Sequence, residues 1–270
     1  MASFHVIAGA NEAPSYPQVR RIGFSDLADS LRAGLDDFMT KPSHLVFLGL
    51  IYPLMGVVLA TWTSGANALP LLFPLASGFA LIGPFAAIGL YEISRRRELG
   101  MDASWRHAFD LRHSPALPSI AAVGILLFIV FISWLLVAQA LYTSLMGPMP
   151  PASIGQFVSD LFGTTNGWLL IVIGNAVGFI FAVIVLSTTV IAFPLLIDRD
   201  VGAYSAIHTS ARVVLANPLV MAAWGLIVAA LLVAGSLPLF AGLAVVVPIL
   251  GHATWHLYRR CVTPATPLGR

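Results

Sequence analysis

Residues 69–100 read LPLLFPLASGFALIGPFAAIGLYEISRRRELG, and this stretch decides the fold. It begins as an uninterrupted apolar run with prolines at Pro70, Pro74 and Pro84, and it closes on Tyr91-Glu92-Ile93-Ser94-Arg95-Arg96-Arg97. An uncharged run of this length is predicted to span a bilayer, and the arginines that end it mark the side on which it emerges.

The whole chain supports that reading. Of its 270 residues 58% are hydrophobic and only 10% charged, with a mean hydropathy of +0.89. A water-soluble domain carries about a quarter charged residues, so this composition excludes a water-facing surface over most of the chain. The single cysteine, Cys261, excludes an intrachain disulfide. The opening forty or so residues are polar or mixed, so a secretory leader is not expected.

Working outward, apolar runs predict six spans at about 45–62, 69–93, 120–145, 168–197, 219–234 and 237–258. The fourth is long enough to need tilt or a kink near Pro194. The Gly/Pro-rich segment from Gly147 to Gly167 reads as a loop. Three short amphipathic helices lie between the spans. In the first, Phe24, Leu27, Leu31, Leu35 and Phe38 recur at helical spacing, with Ser25 as N-cap and Pro42 as the stop. Its polar side carries Asp26, Asp29, Asp36 and Asp37 against Arg32, a charge balance that an anionic leaflet would repel, so it is expected to dock on protein. The second runs over Asp102–His113. In the third, Tyr204, Ile207, Ala211 and Val214 form the apolar side, ended by Asn217-Pro218. Residues 1–21 and 263–270 read as cytoplasmic tails flanking one membrane domain at 22–262.

All 14 Lys and Arg fall in four segments: Arg20 to Lys41, Arg95 to Arg112, Arg199 to Arg212, and Arg259 to Arg270. The three intervening loops have none. The positive-inside rule then places both termini in the cytoplasm and the chain in the cytoplasmic (inner) membrane as a multi-pass protein. The order surface helix, X-Pro, span, outer turn, span occurs three times, giving an all-α integral membrane fold of three hairpins with the amphipathic helices on the cytoplasmic face. Pro84, Tyr91, Glu92, Arg95 and Arg96 match Pro248, Trp255, His256, Arg259 and Arg260 at identical spacing.

The segments KPSHLVFLGLIYPLMGVVLA and FPLASGFALIGPFAAIGLYEISRRRELG, with GPFAAIGLYEISRR the most specific part, resemble the prokaryotic integral membrane family called domain of unknown function 2189. The resemblance runs from about Arg21 to Arg260. The family has no established activity, so the resemblance implies little about function; some members are labelled cytochrome c oxidase subunits, a label that the residues here can test.

They lend it little. A membrane haem needs imidazoles on facing helices at membrane depth. Of the seven histidines only His44, His252 and His256 touch spans, all at the cytoplasmic ends, and the last two share one helical face. They are weak metal candidates, and no cofactor is expected. Coupled transport needs ionisable groups at depth. None lies there, and the polar candidates Gln139, Asn175 and Thr188 read as hydrogen bonds between helices, with Gly174-x-x-x-Gly178 as close helix packing within or between subunits. Tyr91, Glu92, Arg95, Arg96 and Arg97 form a candidate docking or anionic-lipid headgroup site with a Glu92–arginine pair available at i, i+3 and i, i+4. Cys261 reads as a free thiol. No nucleotide loop, metalloprotease motif or nucleophile elbow is present. The expectation is a non-enzymatic accessory or scaffold subunit of a larger membrane complex, such as a respiratory one. It rivals a transporter or channel for an uncharged or lipid-like substrate, and a haem- or metal-binding redox accessory. The partners expected are the lipid bilayer and a membrane protein or a second copy, with no nucleic acid.

Overall fold

The computed structural model describes residues 16–40, 74, 83–84, 87–104, 107, 114–237 and 241–264. The expected spans at 45–62 and over most of 69–93, most of the second amphipathic helix and His44 lie outside them. Among the described residues the named elements are all helices, and they fall into two compact units. One draws on Met1–Ile51, Gly83–Ile125 and Leu186–Arg270, the other on Tyr52–Ile82 and Leu126–Val185.

Among the described residues three helices are long and apolar enough to cross a membrane: α3 (Leu117–Met146), the α5–α6 run Thr165–Asp198, and α8 (Pro218–Ser236). They coincide with the third, fourth and fifth expected spans. The fourth is broken where the sequence says it should be: α5 ends at Thr189 and α6 covers Ala192–Asp198. Pro194 has no N–H to offer the Val190 carbonyl, and its ring crowds that position. The Ile191 N–H at the break is taken up by Ser210 Oγ at 3.2 Å.

Gly147 to Gly167 is not a plain loop. It holds α4 (Ile154–Gly163), capped by Ser153, whose Oγ accepts from Gln156 N at 3.1 Å. The Ser-x-x-Gln pattern was a legible helix start.

The first unit is built around α9 (Leu243–Cys261), which packs against α1 (Phe24–Thr40), α2 (Ile88–Glu98), α8 and α6. Two glycines set the spacing. Gly34 of α1 meets the backbone of Ala253, and Gly251 of α9 meets the Leu90 side chain, in both cases closer than a Cβ would allow. The core between them is Leu27, Leu90, Tyr91, Trp255, Leu257 and Tyr258, all almost fully enclosed. The sixth expected span, 237–258, corresponds to α9 but is not among the three apolar helices. Its first half is apolar, whereas its second half carries His252, Thr254, His256, Arg259 and Arg260.

The amphipathic helices turn inward a side shifted from the one their periodicity predicts, sharing Leu27 and Phe38 with it on α1. On α1 the buried residues are Leu27, Ser30, Gly34, Asp37 and Phe38, while Phe24 and Leu35 are exposed. On α7 (Ala203–Ala216) they are Ala203, Ser205, Ala206, Thr209, Ser210 and Val213, with Tyr204 exposed. Small side chains let the helix axes approach, and that wins over the larger apolar stripe. Nor is Ser25 the cap of α1. The helix starts one residue earlier, and Asp26 Oδ2 reaches back to accept from Gly23 N at 2.8 Å.

Residues 18–20, which the sequence predicts to lie in the N-terminal tail, are held against the end of the chain. Val19 bridges Val262 antiparallel, Arg20 N donates to Cys261 O at 2.7 Å, and Thr263 N donates to Gln18 O at 3.1 Å. Asn217, at the predicted joint, accepts from Ile22 N at 2.9 Å and donates to Arg20 O at 3.1 Å.

Candidate functional site

The most concentrated chemistry among the described residues lies where α1, α2 and α9 meet, wholly within the first unit. Its hub is Asp37, buried on the small-residue side of α1. Ser94 Oγ donates to Asp37 Oδ2 at 2.5 Å, and His256 Nε2 lies 2.9 Å from the same oxygen. Arg97 pairs with Oδ1 of Asp37 and, at 2.8 Å, with Asp36. His252 Nδ1 sits 2.8 Å from Ser94 Oγ. Serine has one proton to donate and Asp37 receives it, so Nδ1 carries the hydrogen that Oγ accepts. Among the described residues His252 Nε2 is enclosed without a hydrogen-bond partner.

Around that hub the acids and bases are matched. Glu92, also buried, takes Arg95 Nε at 2.8 Å and Arg96 Nε at 2.7 Å. Glu98 accepts from Trp255 Nε1 at 3.0 Å and pairs with Arg259 at 2.8 Å. Asp198 accepts from Tyr258 at 2.6 Å. Arg260 spans Asp26 at 2.7 Å and Asp29 at 3.3 Å.

Burial alone would push the Asp37 carboxyl up. The hydrogen bonds from His256 and Ser94, the charge of His256 and the Arg97 bond outweigh it and hold the group below its ordinary value. Asp26 is likewise held low, first by the Gly23 N–H and then by Arg260. The Cys261 thiol is pushed up to about 12 by burial and by the charge of Asp26, so it is a closed-off thiol.

Of the residues singled out from sequence, this arrangement brings together Tyr91, Glu92, Arg95, Arg96, Arg97, His252 and His256. Tyr91 is packed into the core. The three arginines are each engaged by a carboxylate, which leaves them poorly placed to serve as bare headgroup ligands. His252 and His256 converge on Asp37, yet among the described residues no three His, Cys, Asp or Glu are set to hold a metal ion. Gln139 and Asn175 do not bond between helices: Gln139 Nε2 donates to Thr143 at 3.3 Å and Asn175 Nδ2 to the Ile171 carbonyl at 2.7 Å, each within its own helix. Thr188 lies in the last turn of α5. Sequence reasoning noted Asp37 only as one of four acids on a polar side. Ser94 carried no signal of its own, being one serine inside a basic run.

Among known protein families, the one described as "Predicted integral membrane protein (DUF2189)" matches residues 72–198. The matched stretch includes α2 through α6, and with them Glu92 and the arginine cluster; Asp37, His252 and His256 lie beyond it. No curated protein and no solved structure matches the chain.

Proposed function

We propose that the chain is a non-enzymatic accessory or scaffold subunit of a larger membrane assembly, with α1 as its docking platform. One observation carries this reading. Helix α1 is clamped to α9 through Gly34 and Asp37, while Phe24, Leu35 and Met39, 62%, 46% and 67% exposed, line the adjoining side. A helix fixed so firmly, with its large apolar side chains outward, is suited to receive another protein rather than to complete its own core.

The finer topology belongs to the same reading. Six spans in three hairpins put both termini and every basic segment on the cytoplasmic side of the cytoplasmic membrane. The apolar first half of α9 then completes the last span, and its polar second half delivers His252, His256, Arg259 and Arg260 to the inner face.

The test is affinity purification from native membranes, comparing the wild type with Phe24→Ser/Leu35→Ser/Met39→Ser. The expected result is loss of a stoichiometric co-purifying membrane protein with the melting temperature unchanged. Solute flux by the isolated protein in proteoliposomes, altered by the same triple substitution, would replace the scaffold reading with a transporter. A stoichiometric haem, seen as a Soret band that vanishes in His252→Ala or His256→Ala, would replace it with a redox accessory.

A further inference from the structure

The α5–α6 run is the least covered of the three candidate spans. In its most apolar window 6% is buried, against 22% in each of the other two. Trp168, Val172, Asn175 and Phe179 follow one another along its outward side, all exposed. Three of them suit hydrocarbon. Asn175, at the middle turn of Thr165–Thr189, does not.

Its amide gives one hydrogen to the Ile171 carbonyl and, among the described residues, makes no other hydrogen bond. A second N–H and the Oδ1 acceptor are therefore left facing outward at a depth where water is absent. Asn175 is ten residues, or about 15 Å, from the helix start, so a lipid headgroup at the interface does not reach it. An acyl chain offers it nothing, and an unmet amide in hydrocarbon is costly. The group that meets it has to arrive at the same depth carrying both a donor and an acceptor.

A second copy of this chain supplies that group automatically. Two copies in one membrane share orientation and depth, and a two-fold axis along the membrane normal sets Asn175 against Asn175, each N–H facing the other's Oδ1. Gly174, next to it, has none of the described residues within 4 Å of where a Cβ would stand, so a neighbouring helix can come close. Gln139 of α3, also exposed, differs in having Thr143 Oγ1 as a side-chain partner in its own helix. We propose that α5 is a self-association surface, a parallel helix pair between two copies of this chain closed by a reciprocal Asn175 amide pair.

The full chain is reconstituted at low density in lipid nanodiscs or vesicles, and its stoichiometry is read by single-molecule photobleaching. A Phe179→Cys variant is tested for disulfide cross-linking in native membranes. The expected result is a dimer that cross-links through position 179. Asn175→Leu should weaken it about tenfold with the melting temperature of the monomer unchanged, and Asn175→Gln should retain most of the association. A monomeric wild type, a dimer indifferent to Asn175→Leu, or loss of a different co-purifying protein in Asn175→Leu would each overturn the proposal. So would a fall in monomer stability in Asn175→Leu, because the amide would then serve an internal contact.

Discussion

A methyl group on Gly34 would lie 2.5 Å from the backbone nitrogen of Ala253 and 2.7 Å from its Cα and Cβ. These are backbone and near-backbone atoms, so nothing flexible can swing away, and α1 must move bodily to admit the extra carbon. Gly34→Ala is expected to destabilise by about 1–3 kcal/mol, the usual cost of overpacking. Gly225→Ala in α8 is the control. Its Cβ would meet only Leu186 Cδ2 at 3.5 Å, an ordinary contact, so the helix should gain up to about 1 kcal/mol. Equal melting temperatures for the two variants in detergent would refute the close approach of α1 and α9.

Asp37 gives the first unit an acid-sensitive clamp. Its folded-state carboxyl is held below the ordinary 3.8, so its contribution is complete above roughly pH 4 and is lost as pH falls through the folded value. Asp37→Asn should lower stability at neutral pH by on the order of 3 kcal/mol, because Arg97 and His256 keep their places without a counter-charge. It should also flatten the acid limb of the stability curve. An acid limb identical to that of the wild type would show that the carboxylate is not the titrating group.

Two arginines that both touch α1 acids separate clamp from decoration. The Arg32 side chain is 81% exposed and 3.6 Å from Asp29, a surface pair. Arg97 connects α2 to both Asp36 and Asp37 across two helices. Arg32→Ala is expected to change stability by less than about 0.5 kcal/mol. Arg97→Ala should leave the buried Asp37 short of a partner and cost several times that. Thermal melts at low and high salt distinguish them, since screening acts mainly on the exposed pair.

Topology is open to chemical labelling because the native thiol is silent. Cys261 is enclosed and its pKa is pushed up to about 12, so it should react with maleimides only after denaturation. From the distribution of cations, cysteines introduced at Asn67 and Ser153 should label with an impermeant reagent in intact cells, and one at Met101 should not. External labelling at Met101 would reverse the orientation.

What could be read from sequence followed from long-range averages. Hydropathy located α3, the α5–α6 run and α8, and Pro194 located the break between α5 and α6, because these depend only on solvent and on proline's missing N–H. Glu92's pairing with Arg95 and Arg96 was legible because helix geometry alone sets it. The buried side of α1 was legible in part. Periodicity favours Phe24, Leu27, Leu31, Leu35 and Phe38, of which Leu27 and Phe38 are buried, but the helix that α1 packs on lies at the far end of the chain, and close approach to Ala253 adds Gly34 and Ser30 in place of Phe24 and Leu35. The hub was hidden for the same reason: Asp37, Ser94 and His256 share no local pattern, and only the packing of three distant helices makes one site of them.

The strand-like bridge between Val19 and Val262 has a consequence in time. Ribosomes add roughly 5–20 residues each second, so residue 262 follows residue 19 by roughly ten to fifty seconds. Until then α1 has neither Ala253 to lie against nor His256 to complete the Asp37 cluster, and Arg20 has no Cys261 carbonyl to hold it. Through most of its synthesis the nascent chain therefore carries α1 without the helix it packs against. The segment around Val19 is thus made early and locked late.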